Sequence, residues 1–463
     1  MSLAFRGAAR KGRVRFASPV DLDDPRLRRL ILQLAIPSVI GLLVNALYYA
    51  VDAVFVGHLG TDALAAVNIA LPLFALVAAL GEGLGVGVAA SVGRFLGEKR
   101  WGRACLTASN GLALAAVVGA VMSLLLWLFH REVLALMGTS PELMPLASAY
   151  TGILAISCVM TLVQILCDFI AIAEGNTRFS MMTLLGSFLL NMLLDPLFIF
   201  AFGWGVEGAA WATLVAKAAA LAAYWVYFHR HWGVVLLRPR LMLPRWPILK
   251  PVVQVGMPAT LGSFLSAIAF ALMYRQAAVH GGEQAVAGIG IAARLMMLGY
   301  FAVIGFCLGA QAVISYSYGA RTYPRLLSGI RFMLLVTTVF SVLYAGVMLA
   351  FPQPLVALFT PDAAVQAVGV EAVRMFHLCF AITGLEYVTL ILLQSMGRAT
   401  LSAVVGLAPQ GYLLIPALLL LPLTLGVDGV LFSPALASGL GGVLSLLIFG
   451  WQMMRLRRRV VAG

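Results

Sequence analysis

Residues 37–60 read PSVIGLLVNALYYAVDAVFVGHLG and residues 258–282 read PATLGSFLSAIAFALMYRQAAVHGG. Both stretches begin on proline, Pro37 and Pro258, and Gly41 stands opposite Gly262. After a one-residue slip they end together on Gly60 and Gly282. Further along, Gly83, Gly87 and Gly97 meet Gly305, Gly309 and Gly319. Gly175 meets Gly397, and GVEG at 205–208 meets GVDG at 426–429. The chain is two copies of one structural unit, each about half its length.

The unit is a membrane unit. Of the 463 residues 62% are hydrophobic and only 11% charged, about half the charged share of a soluble domain. Apolar runs of at least about 20 residues, enough to cross a bilayer, recur twelve times: 31–56, 64–93, 104–129, 145–172, 179–202, 206–229, 250–278, 285–316, 327–351, 366–395, 400–424 and 429–454. Such runs exclude a transmembrane barrel, whose strands are about 10 residues long and alternate. The expected fold is all-α and polytopic, with twelve transmembrane helices in two six-helix lobes. Six is even, so both lobes enter from the same side and a pseudo-twofold axis along the membrane normal is expected. The expected segments are a basic N-terminus at 1–28, an N-lobe at 29–229, a connector at 230–249, a C-lobe at 250–454 and a basic tail at 455–463.

Net charge is +13, and its distribution assigns it to topology. Of 31 Lys and Arg, 26 lie in the two termini, in loops after even-numbered spans or at the span ends bordering those loops, whereas only Arg131 and Arg374 lie toward the other side. That asymmetry predicts a multi-pass cell (inner) membrane protein with both termini cytoplasmic. It also argues against a nucleic-acid partner. The five cysteines form no CxxC pair, so neither a disulfide nor a bound metal is expected. The first apolar run is long enough to span, and no cleavable leader is expected.

Ionisable residues inside spans are costly and generally face a cavity or a partner. Here they are Asp52, Glu82, Asp168, Asp195, Lys217, Arg275, Arg294 and Glu386. In NMLLD at 191–195, Asn191 and Asp195 share a helical face. Thr213 returns to similar depth across the short turn that follows. Asp52 lies in the outer half of span 1, with Tyr48 one turn earlier. Two carboxylates in one apolar pocket favour sharing a proton, and the same oxygens suit Na⁺. In the second copy Met273, Leu413, Ala417 and Pro434 stand opposite Asp52, Asn191, Asp195 and Thr213. The shared architecture does not need these polar groups, so they are assigned to chemistry: a proton or Na⁺ site at Asp52, Asn191, Asp195, Thr213 and Tyr48. Tyr150, Gln164, Met160, Phe270, Glu82 and Glu386 are candidates for lining a cavity. Glu82 either lines it or bridges to Lys217. Asp168, with Glu174 at the span boundary, is expected in a local salt bridge, and Arg275 and Arg294 are expected to pair with Glu386. Pro37 breaks the hydrogen-bond ladder of span 1 and is the candidate hinge.

The stretches at 37–60, NMLLDPLFIF at 191–200, GVEGAAWAT at 205–213 and SYGA at 317–320, carried on two six-span repeats, resemble the multidrug and toxic compound extrusion (MATE) transporters. The resemblance runs over about 30–455 and points to the DinF-like and MepA-type branch. It implies an N-lobe site in which Asp52 is the span 1 acid, Asn191 and Asp195 the span 5 pair and Thr213 the span 6 hydroxyl, with Tyr48 and Tyr150 beside them. The NorM-like branch uses acids in spans 7 and 10, whereas span 7 here offers only Arg275. The implied activity is export of amphipathic, often cationic compounds by a monomeric antiporter coupled to H⁺ or Na⁺. It implies no cofactor and no partner beyond substrate and lipid bilayer. A major facilitator is disfavoured because GRFLGEKRWGR at 93–103 has Gly97 where that family's loop carries an acid. A lipid-linked oligosaccharide flippase would call for a more cationic cavity. No HExxH or GxSxG motif suggests an enzyme.

Overall fold

The computed structural model describes residues 19–237 and 239–461, except for the side chains at 46, 48–50, 52–54, 239 and 461. Among the described residues the regular structure is helical throughout. Span 1 is Leu27–Gly57, span 2 Thr61–Gly97, span 3 Trp101–Leu136, span 4 Met144–Ala173 and span 6 Gly205–His229. Span 5 is Thr177–Ala201, span 9 Tyr323–Ala350, span 10 Ala363–Ser395 and span 11 Ala399–Leu425. Span 12 closes the chain as Val427–Val461. The twelve expected spans occupy 11 helical stretches, because spans 7 and 8 share one run, Trp246–Gly319. That run turns at Gly282, whose φ of 66° lies in the left-handed region.

Local chemistry explains the breaks between helices. Three of the glycine pairs shared by the two copies fall at turns: Gly60 and Gly282, Gly175 and Gly397, and Gly205 and Gly426 all have positive φ. Lys99 and Arg321, also matched, both adopt φ 58° just past spans 2 and 8, the left-handed position that ends many helices. Asn176 caps span 5 by accepting from the Phe179 amide at 3.3 Å. Asp362 caps span 10 by accepting from Ala364 and Val365 at 2.8 and 3.4 Å. Large apolar side chains such as Leu193, Leu343, Leu423 and Leu447 are exposed. A surface so apolar fits lipid rather than water as its solvent.

Two compact units emerge. One comprises Met1–Asp24 and Ile40–Gly256, the other Pro25–Val39 and Met257–Gly463. The division passes through span 1 just after Pro37 and through span 7 just before Pro258, so each of these spans belongs to both units. In the first unit, Val56, Val67, Tyr150, Leu154, Ile199, Val206 and Ala210 make one apolar core from spans 1, 2, 4, 5 and 6. In the second, Met273, Ile289, Met296, Phe376, Phe380 and Leu418 do the same from spans 7, 8, 10 and 11.

Candidate functional site

Span 5 carries two residues of the candidate site, Asn191 and Asp195. Asn191 and Asp195 lie one turn apart, 1% and 0% exposed. Pro196 has no N–H to continue the ladder, and the chain passes directly into a π-turn at Leu197–Ala201, a distortion that recurs at functional positions. Phe198, Phe202 and Trp204 pack together at this end, with centroids 5.1–5.6 Å apart. Span 6 then starts so close to the π-turn that a Cβ on Gly208 would lie 2.7 Å from the Phe198 carbonyl carbon. That approach fixes span 6 against span 5 and brings Thr213 to Asn191. The Asn191 amide nitrogen donates to Asp195 Oδ1 at 3.3 Å and to Thr213 Oγ1 at 3.4 Å. The amide orients the carboxylate within the buried pocket.

Three of the five expected site residues are therefore brought together. Asp52 and Tyr48, the other two, have side chains outside the described residues. Tyr150 is buried in the same apolar core, beside Ile199 and Val206. Gln164 is buried and Met160 half-buried in span 4 of this unit. Phe270 is half-buried in the second unit, against that unit's own core.

Several expected pairings do not form. Glu82 is exposed in mid-span 2 and makes no ion pair among the described residues; the ionisable neighbours of Lys217 are Cys158 and Asp168. Asp168 is held by hydroxyls instead of a cation, accepting from Ser180 Oγ at 2.9 Å and from the Tyr224 hydroxyl. Arg275 and Arg294 are both exposed, and neither pairs with Glu386. Glu386 is buried, and its Oε1 has no hydrogen-bond partner among the described residues. Its polar neighbourhood is Tyr300 and Tyr387. Span-to-span pairing of charges depends on helix rotation, and one residue of register turns a side chain by about 100°.

Polar side chains of the first unit hold the connector. Glu174, 1% exposed and just beyond span 4, accepts from the Val234 and Val235 amides at 2.6 and 2.8 Å and from the Tyr227 hydroxyl. A Cβ on Gly233 would lie 2.3 Å from its Oε1. Asn110 in span 3 donates to the Leu241 carbonyl and accepts from the Arg245 amide, both at 2.7 Å. Comparison of the two copies carries the signal for part of this: Glu174 stands opposite Met396 and Asp168 opposite Leu390.

Burial pushes the Glu174 carboxyl up from 4.5 to about 7, and its hydrogen bonds oppose the shift without overcoming it. The folded protein thus holds this proton more tightly than the unfolded chain does. The stabilisation is complete below the unfolded value and is lost as pH rises through about 7. The melting temperature of the purified protein, followed by tryptophan fluorescence between about pH 5 and 8, should fall for this reason. Glu174→Gln, which keeps an acceptor for the amides but cannot ionise, should flatten that part of the profile. An unchanged slope in the variant would remove Glu174 as its source.

Residues 37–197 and 258–417 each match the sequence profile of the MatE family. The multidrug export protein MepA of Staphylococcus aureus is 27% identical over 424 residues, covering 91% of this chain and 93% of that protein. The solved outward-facing structure of a multidrug resistance MATE family transporter of the MOP superfamily superposes with a TM-score of 0.87 at 26% identity, over 96% of this chain and 99% of that one. A MATE structure in the bent conformation gives 0.89 at 24% identity over 97% and 99%, a likeness of fold.

Proposed function

The chain belongs to the MatE family, and on that premise we propose that it is an antiporter that exports amphipathic, often cationic compounds by alternating access, driven by H⁺ or Na⁺. That it is a multi-pass membrane transporter and not an enzyme follows from the family and the fold. The observation that carries the finer reading is the buried Asn191–Asp195–Thr213 constellation. It exists in one copy of the repeat and has Leu413, Ala417 and Pro434 opposite it in the other.

In this mechanism a proton or Na⁺ enters the Asp195 site, with Asp52 as the second acid. Neutralising a buried carboxylate changes which helix packing is favoured, because an uncompensated charge is costly in apolar surroundings. Span 1 transmits the change by bending at Pro37. In support, Pro37 lies two residues before the point where span 1 passes between the compact units. Substrate and ion need only favour different states; they need not share atoms. A membrane potential supplies about 2.3 kcal/mol per charge per 100 mV, to which an ion gradient adds. In this proposal the protein sits in the bacterial inner membrane as a monomer, and the positions of its basic residues favour cytoplasmic termini.

Everted membrane vesicles containing the protein test this reading. A fluorescent amphipathic cation should be taken up against its gradient when a pH gradient or a Na⁺ gradient is imposed, and collapse of the effective gradient should release it. Accumulation that is indifferent to both gradients would overturn the coupling. Deletion that removes an envelope polymer and leaves drug susceptibility unchanged would instead favour a lipid-linked oligosaccharide flippase.

A further inference from the structure

The end of the second unit that carries the basic loops holds a cluster of arginines that pair with no acid among the described residues. Arg398 follows span 10, while Arg455 and Arg459 lie near the end of span 12. Two of the guanidiniums share one indole: Arg455 Cζ lies 3.8 Å from the Trp451 ring centroid and Arg398 Cζ 5.6 Å from it. Arg459 donates to the Tyr323 hydroxyl at 3.4 Å. The ion pairs among the described residues, Arg100–Glu98 and Arg374–Glu371, involve none of the three. Burial first, then the neighbouring charge of Arg455, with Arg459 adding to it, holds the Arg398 guanidinium below its ordinary value. The aromatic rings bring like charges together, and none of the described residues makes an ion pair with them.

The same helix shows what does. Leu447, Trp451 and Arg455 follow one another at four-residue spacing, hence on neighbouring turns of one helical side. Leu447 is 67% exposed and Trp451 39% exposed. The sequence of exposed aliphatic, half-exposed indole and free guanidinium is the polarity profile of a bilayer from hydrocarbon through interface to headgroup. Arginine suits phosphate because its planar fork offers paired donors.

From this geometry we infer that Arg398, Arg455 and Arg459, with Trp451, form a binding site for the phosphate of an anionic glycerophospholipid whose acyl chain lies along Leu447. A free phosphate would gain the guanidiniums but make no use of the exposed apolar side chain one turn away. The site is separate from the Asp195 constellation, and its test needs no transport.

The test is native mass spectrometry of the purified full-length protein in mild detergent, titrated with phosphatidylglycerol or with phosphatidylcholine of matched chains. Wild type should retain phosphatidylglycerol preferentially, and each arginine lost should weaken the preference roughly fivefold. Arg398→Gln with Arg455→Gln should nearly abolish it, and Arg374→Gln, at the other end of the bundle, should leave it intact. If the double variant does not elute as a folded species, the exposed Arg455→Gln alone supplies the readout. No preference in wild type, or an equal preference in the arginine variants, would overturn the site. Displacement of the lipid by millimolar inorganic phosphate would show a free-anion site and overturn the lipid assignment.

Discussion

Asp195→Asn should strongly reduce gradient-driven accumulation while leaving a folded protein that still binds and exchanges substrate. The carboxylate is 0% exposed, so the substitution must preserve volume, and asparagine does. The hydrogen bond from Asn191 can persist, because an amide oxygen can take the place of Oδ1 at 3.3 Å. What disappears is the ability to bind a proton or to carry the charge that holds Na⁺. A ligand shifts a conformational equilibrium only through differential affinity for its states. With the Asp195 carboxylate gone, the ion loses its hold on span 5, and Asp52 alone does not replace it. Coupling free energies of the usual size correspond to about 5–150-fold, and driven uptake in proteoliposomes should fall within that range. Counterflow exchange of labelled substrate at zero gradient should change little. Ala417→Ser, at the matched position of the second copy, should change neither. Accumulation by Asp195→Asn at the wild-type level would move the coupling site elsewhere, with the buried Glu386 as the next group to examine.

The chemistry at Asp195 was legible in the sequence because it is local. Asn191 and Asp195 are one helical turn apart, and the turn to Thr213 is short and fixed by glycines, so spacing alone brings the three together. The repeat supplied the other half of the reading by showing which polar groups the architecture can lack. Groups whose partners lie on distant spans were illegible. Asp168 meets Tyr224 across 56 residues and Glu174 meets Val235 across 61, and those meetings depend on how two helices are rotated. The fusion of spans 7 and 8 was hidden for a related reason. His280–Gly281–Gly282 looks like a loop, yet a single left-handed glycine suffices to turn the chain. The sharing of spans 1 and 7 between units leaves no trace in hydropathy at all. It does leave one in the glycines.

Gly87→Ala and Gly309→Ala should each destabilise the protein far more than a methyl group ordinarily does. The matched glycines of spans 2 and 8 permit close helix packing in general, and the structure names their partners. A Cβ on Gly87 would lie 2.1 Å from the Val252 carbonyl oxygen, and one on Gly256 would lie 2.1 Å from that of Gly83. In the second unit a Cβ on Gly309 would lie 2.4 Å from the Leu34 carbonyl oxygen, and one on Gly305 would lie 2.7 Å from the Val39 Cα. The obstructing atoms are backbone, so no rotamer change relieves them and the helices must separate. Overpacking of this kind costs about 1–3 kcal/mol, against which alanine returns about 1 kcal/mol of helix propensity. The net effect should be a lower melting temperature and a broadened size-exclusion peak. Gly346→Ala in span 9, where nothing lies within 4 Å, receives only the propensity gain and should be neutral or stabilising. The two clashing positions also seat the first part of span 1 and the first part of span 7, the segments that precede Pro37 and Pro258. A variant that folds with its contact loosened should therefore lose driven transport while keeping Asp195 intact. Melting of Gly87→Ala and Gly309→Ala at the wild-type temperature would mean that these glycines are not close-packing contacts, and that the repeat preserves them for another reason.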